Sequence, residues 1–283
     1  MSQDALFQYD LHSHSVVSDG SLTPEALIAR AVGQGVDVLA LTDHDVTDGL
    51  SAARAAAKLH NIRLVSGVEI SVTWSGTTIH VLGLGIDDQC EELQQGLGKL
   101  RDFRVLRAAE IARRLEKKGI PNSLEGANKF ARGALVSRTH FAHFLVESGR
   151  AKNVRDVFRK FLVQGKPGYV PGEWAELEDA VQWITAAGGQ AVIAHPARYR
   201  LSATRLRQLL TEFKSCGGVG LEVVSSAHSQ PDCVNMGRYA KQFELLASCG
   251  SDFHGPEQPW VELGKIPPLP KECQPIWSTW DLN

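Results

Sequence analysis

The sequence predicts a parallel α/β fold of seven strands, arranged as a barrel-like scaffold that a helical insertion interrupts. Apolar, β-rich segments alternate with helical segments along most of the chain, which is the pattern of a parallel α/β fold. About 115 residues separate His80, in the fourth predicted strand, from His195, at the end of the fifth, several times what a helix and two loops require. The 283 residues, 43% of them hydrophobic, suffice to bury one large core.

Seven β-rich segments are predicted as strands. Thr23 as N-cap and Pro24 at the first helical position predict a helix between the first two strands, and an alanine-rich helix follows at 48–60. Only four residues, 73–76, separate the third and fourth strands, too few for a parallel crossover, so we expect an antiparallel hairpin that turns at Ser75-Gly76. The predicted strands span residues 9–14, 36–42, 63–72, 77–85, 190–195, 219–224 and 244–252.

The insertion is placed at residues 100–170, between a first barrel part at 1–99 and a second at 171–283. It carries its own helical patterns at 134–149 and 153–163. We expect this insertion to close over the mouth of the barrel.

Composition excludes several classes of protein. A net charge of −2 and a pI of about 6.6 provide no overall field that would attract duplex DNA. The five cysteines form no C-x-x-C pair and are odd in number, which favours reduced thiols in a cytoplasm. The chain has no apolar run of the ~20 residues that span a bilayer and no secretory leader pattern, so we expect neither membrane insertion nor secretion. The sequence gives no sign of an obligate protein partner.

Histidines and carboxylates recur at the predicted strand ends. His12 and His14 alternate along the first strand, so they project to the same side and can hold one ion between them. Strand ends of an α/β barrel gather at its C-terminal mouth, where such folds place their chemistry. The residues at the ends of other strands are His44, Glu69, His195, Asp252 and His254.

His80 joins this set through the hairpin register. If Ser75-Gly76 is a two-residue loop, Ser71 pairs with His80, and Glu69 becomes a diagonal neighbour of His80 at about 7–8 Å by backbone. Asp19 comes from the loop just after the first strand.

Nine candidate ligands are too many for one ion. Six imidazoles with three carboxylates suit two or three closely spaced divalent ions of the manganese, iron or zinc kind, with at least one bridging carboxylate. Calcium and magnesium prefer oxygen ligands. Asp43 and Asp45 are interpreted as acceptors that orient imidazoles or as loop-shaping residues. The candidate ligands are His12, His14, Asp19, His44, Glu69, His80, His195, Asp252 and His254.

Four histidines lie outside this set. His60 closes a helix and suits a partner of the helix dipole. His140 and His143 have aromatic neighbours that favour packing over ligation. His228, in the loop after the sixth strand, is a candidate for contacting substrate or donating a proton, and packing is the alternative.

The motifs DLHSHSVVSDG, LTDHD, GVEIS, IHVLG, AHP and GSDFHG, in this order, resemble the PHP family, named for polymerase and histidinol phosphatase. The resemblance implies a distorted seven-stranded β/α barrel with a trinuclear metal site, manganese first among the metals, that hydrolyses phosphoesters. Each of the nine candidates lies where the motifs of this family have a ligand.

The insertion resembles a narrower group. RVLRAAEIARRLEKKGI, VSRTHFAHFLVESG and GKPGYVP are similar to the 3′,5′-nucleoside bisphosphate phosphatases, a group that includes an exoribonuclease trimming short RNAs from the 5′ end. Without the resemblance, the residues favour a solvated basic helix face over a phosphate-binding site. By the resemblance, the phosphates of the substrate would be bound by Arg104, Arg107, Ser137 and Arg138, with Lys166 and Arg198 as weaker candidates.

The expected reaction is hydrolysis of the 3′-phosphate of a nucleoside 3′,5′-bisphosphate by a hydroxide held between two metals. The alternatives are a 5′-3′ exoribonuclease on short 5′-phosphorylated RNA, which the same protein can be, and a histidinol-phosphate phosphatase. A non-catalytic PHP module need not keep its ligands, and the complete set in this chain argues against it.

Overall fold

The computed structural model describes residues 7–133 and 135–280, and its seven strands form one sheet in the order of the chain. β3 and β4 pair as the predicted antiparallel hairpin, with Ser71 opposite His80 and Trp74 opposite Thr77. The strands are β1 (Tyr9–Asp10), β2 (Val38–Leu41), β3 (Arg63–Trp74), β4 (Thr77–Leu84), β5 (Gln190–Ile193), β6 (Gly220–Ser225) and β7 (Leu246–Gly250).

The sheet closes into a distorted barrel, as expected. β4 pairs antiparallel with both neighbours, whereas the other strand pairs are parallel. The chain after β1 meets the chain around β7, where the amide of Leu11 donates to the carbonyl of Cys249 at 2.9 Å and the amide of Asp252 donates to the carbonyl of His12 at 2.9 Å.

The first strand is shorter than the predicted 9–14. Only Tyr9 and Asp10 form ladder pairs with β2, and the following residues turn to bond the β7 side, with Ser13 bridging Phe253. His12 and His14 therefore lie beyond the strand, in the segment that closes the barrel.

Nine helices are found among the described residues. The first has the predicted start, because the Oγ1 of Thr23 accepts a hydrogen bond from the amide of Ala26 and Pro24 is the first helical residue. The helices are α1 (Pro24–Gly33), α2 (Leu50–His60), α3 (Glu91–Glu116), α4 (Ser123–Asn128), α5 (Arg138–Glu147), α6 (Val154–Val157), α7 (Leu177–Ala186), α8 (Ala203–Ser215) and α9 (Gln230–Gln242). A π-helical turn follows α6 at Phe158–Leu162.

Helix α3 joins two hydrophobic cores. Its first half buries Leu93 and Leu97 in the core of the barrel. Its second half buries Ile111 and Leu115 in a separate core with α5 and the segment after it. The predicted boundary at residue 100 thus falls inside one continuous helix, which holds the helical segment at a fixed position over the barrel.

No helix in the described part of the chain is both long enough and apolar enough to cross a membrane.

Candidate functional site

The nine predicted ligands converge at one end of the barrel. Within each of three groups, one ligand atom from every member lies within 4.8 Å of the others. Glu69 and His14 each belong to two groups, so the groups are contiguous. The groups are His14, Asp19, His44 and His254; His12, His14, Glu69 and Asp252; and His44, Glu69 and His80. With His195, which contacts Glu69, we call these nine residues the imidazole–carboxylate cluster.

Glu69, on β3, is the centre of this cluster. Its Oε1 lies 2.8 Å from Nδ1 of His80 and 3.0 Å from Nε2 of His195. Its Oε2 lies 3.0 Å from Nδ1 of His44 and 3.2 Å from Nε2 of His14. The carboxylate of Glu69 therefore faces imidazoles from all three groups and also His195. A ligand that bridges two metal ions requires such a position.

His12 and His14 face the same point, as their spacing predicts, although neither lies in a strand. Their Nε2 atoms are 3.1 Å apart, and Oδ1 of Asp252 lies 3.4 Å from the first and 3.3 Å from the second. Asp19 reaches the other side, where its Oδ1 lies 3.4 Å from Nε2 of His254.

The geometry of these residues fits divalent cations. Oδ1 of Asp19 and Oε2 of Glu69 are buried and accept no hydrogen bond, although imidazole nitrogens surround them. Two imidazole nitrogens that converge on carboxylate oxygens form the mixed N and O donor set that manganese, iron and zinc prefer. The residues present therefore suit the metals that the motifs imply.

Burial and charge act on the pKa values in opposite directions. Burial raises the pKa of Glu69, but His44, His80 and His12 hold it well below its ordinary value. Burial lowers the pKa of His80 and of His195, which favours the neutral imidazole that binds metals.

His14 shows the opposite balance. Burial lowers its pKa, yet the close carboxylates of Asp252 and Glu69 raise it to about 9. A proton on this ring places positive charge beside the carboxylates. A bound metal ion would supply that charge instead, so metal binding would release the proton.

Glu222 is a buried carboxylate that the sequence reasoning missed. It projects from β6, and its Oε1 accepts a hydrogen bond from Nδ1 of His12 at 3.0 Å, while its Oε2 accepts from the amide of His195 at 2.5 Å. Such a contact fixes the tautomer that leaves Nε2 of His12 free to bind a metal. An acidic residue inside the apolar stretch VGLEVV was the available signal, since an unpaired buried charge is costly.

Asp43 and Asp45 shape loops. Asp43 accepts hydrogen bonds from the amide and hydroxyl of Ser15 and from the hydroxyl of Ser18. Asp45 accepts from the amide of Ser71 and pairs with Arg104 at 2.6 Å. These contacts match the loop-shaping alternative for both residues.

Basic residues of the helical segment line a cavity together with residues of the imidazole–carboxylate cluster. This cavity, of about 140 Å³, is lined by members of the imidazole–carboxylate cluster and by Arg198 on the barrel side. The lining also includes Arg104 and Arg107 of α3 with Ser137 and Arg138 at the start of α5, which we call the arginine wall. Residues more than thirty positions apart in the sequence are thus brought together.

The arginines differ in how they are held. Arg104 pairs with Asp45 and donates to the hydroxyl of Ser71 at 3.0 Å. Arg107 donates to the carbonyl of Val170, and burial together with Arg138 and Arg104 lowers its pKa to about 9. Burial, with Arg104 and Arg198, also lowers the pKa of Arg138. A bound anion would relieve this repulsion.

Ser137 has a local role as well. Its Oγ caps α5 by accepting from the amide of Thr139, and its own amide donates to Nδ1 of His140. His143 stacks on Phe130 with 5.7 Å between ring centroids. The packing interpretation of both histidines agrees with these contacts.

Two candidates lie away from the described lining of the cavity. Lys166 is exposed in the turn after the π-helical segment. His228 donates from Nδ1 to the carbonyl of Val223 at 3.1 Å, and its Nε2 faces the amide of Ala197. Both ring nitrogens of His228 are therefore directed at backbone, which suits the packing alternative. His60 is exposed at the end of α2.

Comparison with known proteins places this site in context. The PHP domain matches residues 10–191. The chain is 47% identical over 269 residues to a 3′,5′-nucleoside bisphosphate phosphatase of Chromobacterium violaceum, covering 95% of this chain and 94% of that protein. It is 45% identical to the 5′-3′ exoribonuclease Rnm of Escherichia coli K12, covering 96% and 94%.

Solved structures agree with this fold. An amidohydrolase from Chromobacterium violaceum with bound sulfate superposes with a TM-score of 0.93 at 47% identity, covering 96% of this chain and 95% of that one. A metal-dependent phosphoesterase from Bifidobacterium adolescentis superposes with a TM-score of 0.84 at 26% identity, covering 94% of each chain.

Proposed function

We propose that this chain, which belongs to the PHP family, is a metal-dependent phosphoesterase that converts nucleoside 3′,5′-bisphosphates into 5′-monophosphates and phosphate. One observation carries this proposal. A single cavity is lined by seven residues of the imidazole–carboxylate cluster and by all four residues of the arginine wall. A substrate with two phosphate groups is complementary to both sets of residues at once.

The nine residues of the imidazole–carboxylate cluster would hold the ions, three in number as the resemblance to the PHP family implies, with manganese as the first candidate. When bound, such ions lower the pKa of water and neutralise negative charge on phosphoryl oxygens. Glu69 would bind more than one ion, since its Oε1 faces His80 and His195 and its Oε2 faces His44 and His14.

The remaining residues would bind and orient the substrate. Arg107 and Arg138 would grip the 5′-phosphate with charge-assisted hydrogen bonds, and Ser137 would add a hydroxyl at the start of α5. Arg198, which lies 3.1 Å from Oδ2 of Asp252, would steady the 3′-phosphoryl group beside the imidazole–carboxylate cluster. Holding both phosphates places the 3′ ester bond between them.

A second reaction uses the same arrangement. The 45% identity to Rnm supports 5′-3′ exoribonuclease activity on short 5′-phosphorylated RNA. Both reactions break the bond between phosphorus and the 3′ oxygen of a nucleotide whose 5′-phosphate is held. They differ in whether that phosphorus carries a further nucleotide.

The test is phosphate or nucleotide release from a substrate panel with manganese. The panel holds adenosine 3′,5′-bisphosphate, AMP, histidinol phosphate and a 5′-phosphorylated oligoribonucleotide. We expect turnover of the first and last, and little turnover of AMP. Activity confined to histidinol phosphate would contradict the proposed substrate and leave the metal chemistry intact.

Elemental analysis of manganese-supplemented protein tests the number of ions. Fewer than about two ions per chain would contradict a multinuclear site. We further propose a cytoplasmic location and no dependence on a protein partner. The five free cysteines support the location, since a reducing compartment keeps thiols unpaired.

A further inference from the structure

Trp174 lies at the arginine wall and contacts two of its guanidinium groups. The Cζ of Arg104 is 5.0 Å from the centroid of its ring, and the Cζ of Arg107 is 5.2 Å from it. The two arginines are three positions apart on α3 and so share one helix face. Phe103 packs edge-on against the same indole at 4.9 Å, which fixes the ring in place.

An aromatic ring suits this position better than a carboxylate. Arg107 donates hydrogen bonds to the carbonyl of Val170 and lies near the positive charges of Arg104 and Arg138. The negative face of an indole attracts a guanidinium without cancelling its charge. A carboxylate in the same place would attract it more strongly but would repel a phosphate. Arg104 is already paired with Asp45, so the indole can hold Arg107 beside it and leave the charge of Arg107 available to an anion.

The backbone around Trp174 is tied to the barrel. Its amide donates to the Oγ1 of Thr73 at 3.0 Å, and this hydroxyl donates to the carbonyl of Gly172. Val72 and Ala175 form a parallel bridge beside it. Val72 and Thr73 belong to β3, the strand that also carries Glu69. These contacts with β3 fix the position of the Trp174 backbone relative to the imidazole–carboxylate cluster.

We propose that Trp174 is a positioning residue for specificity, which holds Arg104 and Arg107 at the separation from the imidazole–carboxylate cluster that a 3′,5′-bisphosphate spans. This proposal rests on the proposed function and names a residue that sets its selectivity for a second phosphate. Trp174 acts through the two arginines and needs no contact with the substrate itself.

The test compares Trp174→Leu with Trp174→Phe on two substrates. For Trp174→Leu we expect the KM for adenosine 3′,5′-bisphosphate to rise about ten-fold with little change in kcat, because two cation–π contacts are lost. Hydrolysis of p-nitrophenyl phosphate, which has one phosphate, stays unchanged. Trp174→Phe keeps an aromatic face and restores most of the affinity. An equal loss on both substrates would overturn the proposal.

Trp183→Leu is the matched control. Trp183 is also half-buried and packs on α3, but at Gly96 rather than at the arginines. We expect this variant to keep the KM for the bisphosphate. The same rise in both variants would show a general disturbance of α3 and would overturn the specific role of Trp174.

Calorimetric binding of AMP separates this inference from the proposed function. AMP carries the 5′-phosphate alone, so its Kd should rise about ten-fold in Trp174→Leu without any need for turnover. A wild-type protein that binds AMP through Trp174 but does not hydrolyse the bisphosphate would contradict the proposed function alone. Normal bisphosphate turnover with KM and AMP affinity unaffected by Trp174→Leu would contradict this inference alone.

Discussion

The imidazole–carboxylate cluster and the arginine wall line the same cavity and have opposite electrostatic character. In the imidazole–carboxylate cluster, buried carboxylates hold imidazoles close together, and the pKa of Asp252 falls well below its ordinary value, because His12, His14 and His254 outweigh the effect of burial. In the arginine wall, burial and the positive charges of Arg138 and Arg104 lower the pKa of Arg107. One side is arranged to receive cations and the other to receive an anion.

The two regions also differ in how the chain builds them. Ligands of the imidazole–carboxylate cluster follow the strand ends of a single barrel, where backbone hydrogen bonds fix their positions. Asp45, His195 and Asp252 all have positive φ at this mouth, which is a sign of backbone constrained by its surroundings. The arginine wall depends on side chains of two helices whose separate core sets their approach to the barrel. Variants on each side should therefore give distinct losses.

The largest loss is expected from Glu69→Gln. The substitution removes the charge that faces His44, His80 and His14, so turnover of every substrate should become undetectable. Metal content, measured by elemental analysis, should fall by about one ion per chain or more. Glu178→Gln, an exposed position in the first turn of α7, is the control and should match wild type. Full metal content with no activity would contradict the bridging role.

Glu222→Gln should weaken metal binding by the imidazole–carboxylate cluster without removing a ligand. The amide can no longer attract the Nδ1 proton of His12 with a full charge, so manganese affinity should fall about 100-fold. Bisphosphate and p-nitrophenyl phosphate hydrolysis should decline together at limiting manganese and recover at high manganese. A loss on the bisphosphate only would place Glu222 with the arginine wall instead.

Arg138→Met should weaken substrate binding at the arginine wall and leave the imidazole–carboxylate cluster unaffected. Losing a charged donor to the 5′-phosphate should lower kcat/KM for the bisphosphate about 30-fold, since charge-assisted hydrogen bonds contribute about 1.5–3 kcal/mol. Hydrolysis of p-nitrophenyl phosphate and metal content should not change. Arg155→Met, at an exposed position of α6, serves as the matched control. Reduced metal content in Arg138→Met would show that the two regions are not independent.

Thr139→Val tests the contact between α5, the helix that carries Arg138, and the imidazole–carboxylate cluster. We expect it to have the smallest effect. The hydroxyl of Thr139, in the first turn of α5, donates to Oδ2 of Asp19 at 3.2 Å. Without this bond Asp19 is less well oriented, and manganese affinity should fall about five-fold, the value of one hydrogen bond of about 1 kcal/mol. Thr211→Val is the control, because its hydroxyl bonds within its own helix. Unchanged affinity in Thr139→Val would mean that Asp19 is positioned by the barrel alone.

Several features were predictable because they depend on short stretches of chain. The register that places Ser71 opposite His80 follows from the two-residue turn at Ser75-Gly76, where both residues adopt positive φ. The helix start at Thr23 and Pro24 follows from local capping. The strand at 9–14 was predicted too long, since closing the barrel on the β7 side competes with pairing to β2.

The sequence by itself determined the barrel and the residue types at its mouth, because strand alternation, turn length and capping act within a few residues of one another. Only the tertiary structure decided that Glu222 orients His12, that Asp45 holds Arg104 and that Trp174 carries two guanidinium groups. These contacts join residues from about 60 to 210 positions apart. Such pairs form where closure of the barrel and packing of α3 bring distant segments together, and no local pattern encodes that approach.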